Sequence, residues 1–139
     1  MIYRVFGDYI VLRLEKGDEV FSCIKQICEK KLVRLGTVTG IGAINHLEMG
    51  LYDVSKKEYF KNTLDKDLEI TSLMGNVSKK DGETYLHVHI TAADREGKVW
   101  GGHLNQAIVS ATGEIFIHSI YGNVERREDD ETGLNLMEF

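Results

Sequence analysis

The apolar positions of this chain take a helical period only once, between stretches that read as strand. Residues 2–14 read as strand, clearest over Tyr9-Ile10-Val11-Leu12-Arg13-Leu14. Gly17-Asp18 breaks the run, and Asp18 is placed to cap a helix. Val20, Phe21, Ile24, Ile27, Cys28 and Leu32 then recur at three- and four-residue spacings. This predicts an amphipathic helix over roughly 19–31, with Lys25, Glu29 and Lys30 outside and Phe21, Ile24, Ile27 and Cys28 against a sheet. Beyond Gly36 nearly everything is strand. Leu47, Met49 and Leu51 alternate with polar or small neighbours, and so do Leu68, Ile70 and Ser72. Ser55-Lys56-Lys57 marks a turn, and Glu58-Tyr59-Phe60 opens the next strand. Strands follow over 85–93 and 98–104, and a last long one runs through Ala107–Val109 and Glu114–Ile120. One helix ahead of a run of antiparallel strands is an α+β pattern.

The hairpin over 85–104 carries the clearest chemistry. His87 and His89 are two apart on a strand and so share a face. Asp94-Arg95-Glu96-Gly97-Lys98 reads as a turn. A three-residue loop, Arg95-Glu96-Gly97, puts Gly97 at the left-handed position such loops favour. Folding about Glu96 sets Ala93 against Val99, Thr91 against Gly101 and His89 against His103. Cross-strand Cβ atoms then lie roughly 4.5–5.5 Å apart. His87 is about 7 Å further along the same face. A single strand histidine is more often a hydrogen-bonded surface or core residue than a ligand. Three on one face form the ligand set of an open zinc site. His46 and His118 lie outside the hairpin and are not expected to join it. Gly101 and Gly102 mark either a weak or bulged strand or a place of close approach.

Length and composition narrow the setting. At 139 residues, 42% of them hydrophobic, the chain reads as a single domain, 1–139, with one core. No run of about 18 apolar residues suggests a membrane span, and the N-terminus reads as a strand rather than a signal peptide. Cys23 and Cys28 sit about 140° apart around the helix, imply no disulfide framework, and fit a reducing cytoplasm. The net charge of −5 opposes extensive phosphate contact. The paired lysines and arginines are interrupted by acids, and Arg126–Glu131 reads as a solvated charge run. Leu134 and Leu136 beyond it suggest that the tail docks on the body.

Other motifs carry less. Gly40-Ile41-Gly42-Ala43 lacks the Lys-Ser/Thr of a phosphate loop and is read as a tight turn or bulge. Nucleophilic catalysis finds no serine elbow and no cysteine near a histidine in sequence. Glu48 is expected on the solvent side of its strand. Glu69 stands among apolar strand residues.

Taken in order, these landmarks resemble the PPC (plant and prokaryote conserved) domain in its stand-alone prokaryotic form. They run from Phe6–Gly17 through the helix to Gly40-Ile41-Gly42-Ala43. Leu68-Glu69-Ile70 and Ser72-Leu73-Met74-Gly75-Asn76 follow, then Leu86-His87-Val88-His89 and Gly101-Gly102-His103-Leu104. Arg127, Asp130 and Thr132-Gly133-Leu134 close the series. The resemblance implies a mainly antiparallel domain that forms homotrimers, with His87, His89 and His103 binding zinc or another divalent transition metal. It also implies DNA-binding or transcription-associated work through DNA or protein partners. The chain departs from the plant pattern: it has no proline and hence no AT-hook, so direct DNA binding is not expected of it. Glu69 corresponds to an acidic residue kept in plant members that lack the histidines. It is the candidate supporting residue or proton carrier. The alternative is a zinc-dependent hydrolase or lyase, because three neutral imidazoles leave a fourth zinc position for water or substrate. Its catalytic residues and small-molecule substrate are not specified by the sequence.

Overall fold

A computed structural model describes residues 1–139. The opening stretch is two strands, β1 (Ile2–Phe6) and β2 (Tyr9–Glu15), folded back at Gly7. The expected single strand over 2–14 is therefore a hairpin. Gly7 supplies the positive φ of 57° that lets the chain reverse. The helix α1 (Val20–Lys30) follows. Five long strands come next: β3 (Gly36–Asp53), β4 (Glu58–Leu64), β5 (Leu68–Lys80), β6 (Glu83–Ala93) and β7 (Val99–Ser119). The tail forms a small ribbon, β8 (Arg126–Glu128) and β9 (Asn135–Met137). The fold is a single α+β domain of mostly antiparallel sheet with one helix.

The two segments read as separate strands over 98–104 and 107–120 are one continuous strand, β7. This continuity closes the sheet. β7 pairs with β6 over Val99–His103 and with β3 from His103 to Ser119. β3 pairs in turn with β5, and β5 with β6. The four strands make a closed circuit, and the sheet's edges are left to the flanking strands β1 and β4. β2 pairs with the far half of β7, and β4 extends β3. The glycine-rich stretch at 40–43 is a bulge inside β3, where the register against β5 shifts between Gly40 and Gly42.

The helix packs on β6 and β7. Val20, Ile24, Ile27 and Cys28 are buried, while Phe21 is half-buried beside the core. Two helix expectations need correction. The cap is Glu19, whose carboxylate accepts from the Phe21 and Ser22 N–H groups at 2.9 and 2.7 Å. Asp18 instead accepts from the Glu15 N–H and pairs with the Met1 ammonium at 2.8 Å. Leu32 is 81% exposed, because the chain leaves the helix there at a positive φ of 54°. Along β6, Leu86, Val88, Ile90 and Ala92 point into the core. Tyr85, His87, His89 and Thr91 consequently stand on the opposite face.

Candidate metal centre

The β6–β7 turn has the expected register: Ala93 opposes Val99, Thr91 opposes Gly101 and His89 opposes His103. Gly97 has a φ of 77°. Asp94 holds the loop, its carboxylate accepting from the Glu96 and Lys98 N–H groups at 3.1 and 3.0 Å. His103 is the residue at which β7 changes partners, lying opposite His89 on one side and Gly50 on the other. Gly50 lets the Tyr59 side chain and the Phe60 carbonyl pack directly against its backbone, since a Cβ there would come within 2.5 Å of the Tyr59 ring. A Cβ at Gly102 would come within 2.7 Å of the Gly50 carbonyl oxygen. Gly102 thus serves close approach of β7 to β3, and Gly101, where a Cβ would come within 2.8 Å of the Thr91 side chain, serves close approach to β6.

His87, His89 and His103 converge. Their ring centroids are 5.0, 5.3 and 5.7 Å apart, and the Nε2 atoms of His87 and His89 are separated by 3.2 Å. One potential ligand nitrogen from each lies within 4.8 Å of the others. A tetrahedron with Zn–N of roughly 2.0–2.1 Å has edges of about 3.3–3.4 Å. The His87–His89 separation matches this edge, and a nitrogen of His103 lies within 4.8 Å of both. Three imidazoles and no thiolate suit zinc, copper, iron or nickel. The residues therefore fit a divalent transition metal.

Electrostatics favour the ligand form. Burial holds His87 below the ordinary imidazole pKa, and the charges of His103, His89 and Arg126 add to the effect. Burial, followed by His89, does the same for His103. Neutral imidazole is what a metal requires. The Tyr59 ring meets His103 edge-on at 6.2 Å, and its hydroxyl donates to Asn105 Oδ1 at 2.6 Å.

The three histidines open into a cavity of about 530 Å³ whose other walls come from β3, β4, Tyr85 and the tail. The tail docks as its apolar residues suggested: Leu134 and Leu136 line this cavity, and Lys57 Nζ donates to the Asp130 carbonyl at 2.9 Å. The remaining histidines are occupied elsewhere. His46 Nδ1 lies 2.5 Å from Asp65, and His118 stacks on Tyr9 at 4.5 Å. Glu48 pairs with Lys61 at 3.0 Å. Glu69 is exposed and level with Ala93, four residues along β6 from His89. At about 3.3 Å per residue that is roughly 13 Å, so within one chain it does not join the histidines.

Arg126 is the residue that the sequence pattern concealed. Its place in the Arg126–Glu131 charge run predicts a solvated side chain, yet it is 8% exposed. It donates to Ser78 Oγ, the Asn135 carbonyl and Asn76 Oδ1, and its guanidinium lies over Tyr85. A strand of three residues in a charged stretch is too short for alternation to reveal an inward side chain.

Fold and site together define a PPC-type domain with a histidine-rich pocket. Residues 1–121 match the Plants and Prokaryotes Conserved (PCC) domain, and the chain belongs to that family. Among solved structures, a metal-containing protein of Archaeoglobus fulgidus is 36% identical, with a TM-score of 0.90 over 100% of this chain and 99% of its own. A plant- and prokaryote-conserved protein of Pyrococcus horikoshii is 34% identical, with a TM-score of 0.89 over 99% and 95%. A protein of Bacteroides thetaiotaomicron, assigned provisionally to DNA binding, is 28% identical, with a TM-score of 0.97 over 99% and 96%. The bifunctional protein GlmU of Synechococcus sp. (strain JA-3-3Ab) is 29% identical over 125 residues, 88% of this chain. The match covers 19% of that protein, so the chain spans about a fifth of the curated relatives it matches. No helix is long and apolar enough to cross a membrane.

Proposed function

We propose that this protein is a metal-binding PCC-domain module that assembles as a homotrimer and acts through partners. A divalent transition metal, zinc first among them, would be held by His87, His89 and His103. The observation that carries this reading is the convergence of three imidazoles, one ligand atom each within 4.8 Å of the others. The metal-containing relative from Archaeoglobus fulgidus supports it. A trimer follows from the family resemblance, and exposed Ile2, Phe6, Tyr9 and Phe116 on the β1–β2–β7 sheet provide apolar surface for subunit contact. The Bacteroides thetaiotaomicron relative assigned provisionally to DNA binding makes transcription the setting to test. The net charge of −5 favours recruitment through a protein partner over direct duplex contact.

The cavity favours a second reading, a zinc-dependent hydrolase or lyase. Its roughly 530 Å³ suits a small molecule. A metal there would supply an electrophilic centre, and the chain's own groups would orient the ligand. Glu69 would serve as proton carrier only if a neighbouring copy brought it to the site.

One set of measurements on untagged protein tests these readings: metal content, mass by light scattering, and duplex titration over a range of salt. The proposal expects one transition-metal ion per chain, a trimer mass, and weak or no duplex binding at physiological salt. Protein that takes up neither zinc nor cobalt overturns the metal site. A concentration-independent monomer overturns the assembly, and salt-sensitive sub-micromolar duplex binding overturns the preference for a protein partner.

A further inference from the structure

Arg126 is a buried cation without a buried anion. All three of its acceptors are neutral: Ser78 Oγ at 2.8 Å, the Asn135 carbonyl at 2.6 Å and Asn76 Oδ1 at 2.9 Å. No carboxylate lies within ion-pair distance of it, whereas its neighbour Arg127 pairs with Glu138 in solvent at 3.0 Å. Taking a charge out of water is costly unless an opposite charge or enough hydrogen bonds offset it. A guanidinium has five N–H donors in a fixed fork. Three have protein acceptors, and two are left over. Ser78 and Asn76 on β5 and the Asn135 carbonyl on β9 brace the plane, and the Tyr85 ring backs it with 4.8 Å between the guanidinium carbon and the ring centre.

The leftover donors belong to a residue that lines the same cavity as the three histidines. A cation and a metal site therefore share one concave pocket in a protein whose overall charge is −5. A braced guanidinium fork matches the paired oxygens of carboxylate or phosphate. Arg126 also lies beyond residues 1–121, the part that carries the family match.

We propose that Arg126 makes this pocket an oxyanion site: a small molecule with a carboxylate or phosphate head binds between the guanidinium and a metal held by His87, His89 and His103. This rests on the metal reading above for one end of the ligand and on Arg126 alone for the other. Tyr85 and the acceptors from β5 and β9 position the fork, so specificity for the anionic head is built by the tail docking on the sheet.

The test is a calorimetric titration of the full chain, cobalt-loaded and metal-free, with glycolate, inorganic phosphate and neutral ethylene glycol. The cobalt visible spectrum reports ligand entry at the metal. Glycolate or phosphate should bind and ethylene glycol should not, and the preferred oxyanion identifies the head group. Arg126→Met should weaken oxyanion binding about 10- to 100-fold, as loss of a charge-assisted bond predicts. Arg126→Lys should weaken it less while still discriminating against the neutral probe. Equal binding of the neutral and anionic probes, unchanged affinity in Arg126→Met, or no oxyanion binding at millimolar concentrations overturns the proposal. If Arg126→Met does not fold, Arg126→Lys and the discrimination by the unaltered protein decide. Failure to load cobalt counts against the metal reading. Arg126-dependent anion binding by the metal-free chain would still uphold the oxyanion site, and its absence would reject that site too.

Discussion

His89 and His103 face each other across the β6–β7 ladder with ring centroids 5.7 Å apart, and on its other side His103 faces Gly50. One residue is thus held by two strand pairings at once. A short turn places it beside His89, and closure of the sheet sets it opposite Gly50, against which the Tyr59 ring packs.

Replacing His103 with Ala removes one of three imidazoles and leaves the turn intact. Zinc affinity should fall by more than about 100-fold, beyond the 10–100-fold typical of losing a supporting residue around a metal. Competition with a chelating dye checks this. His118→Ala should leave affinity unchanged, because His118 stacks on Tyr9 away from the site.

Acid should act on the pocket in a defined direction. His87 and His103 are both held below the ordinary imidazole value of 6.5 in the folded chain. The unfolded chain therefore takes up protons first as pH falls. In the metal-free protein their contribution is complete above about pH 6.5 and is lost as pH falls toward the depressed folded values. Thermal melts from neutral to mildly acidic pH should show this slope, and a His87→Gln/His103→Gln variant should flatten it. Bound metal should leave as the same imidazoles protonate.

Gly102→Ala should harm both stability and the site. Its Cβ would stand 2.7 Å from the Gly50 carbonyl oxygen, a backbone atom that cannot swing aside. Overpacking of this kind costs about 1–3 kcal/mol. Denaturant unfolding should show that loss, and metal affinity should drop with it because β7 is pushed from β3 beside His103.

The helix boundary can be tested by a pair of substitutions. Ile24 is fully buried, and Ile24→Ala should cost about 2–5 kcal/mol. Leu32 has the same spacing in the sequence but is 81% exposed. Leu32→Ala should stay within about 0.5 kcal/mol. Equal losses in chemical denaturation would mean that the helix packs through its last turn.

What the sequence determined by itself was local. The period of two along residues 86–90, with Gly97 at the left-handed loop position, specified that His87, His89 and His103 share a face. The three- and four-residue spacing of Phe21, Ile24, Ile27 and Cys28 specified the side of α1 that faces the core, although Phe21 is only half-buried there. These features depend on backbone periods and turn geometry within a few residues, so they can be read from a short window. Only the tertiary structure decided the rest. That β7 is one strand, that it closes the circuit with β3, and that Gly50 lies opposite His103 all depend on pairings between distant segments. The same holds for Arg126, whose solvation is lost because Ser78, Asn76, Tyr85 and Asn135 surround it. Burial belongs to the folded chain's long-range contacts, and a charged residue in a charged run carries no local sign of it.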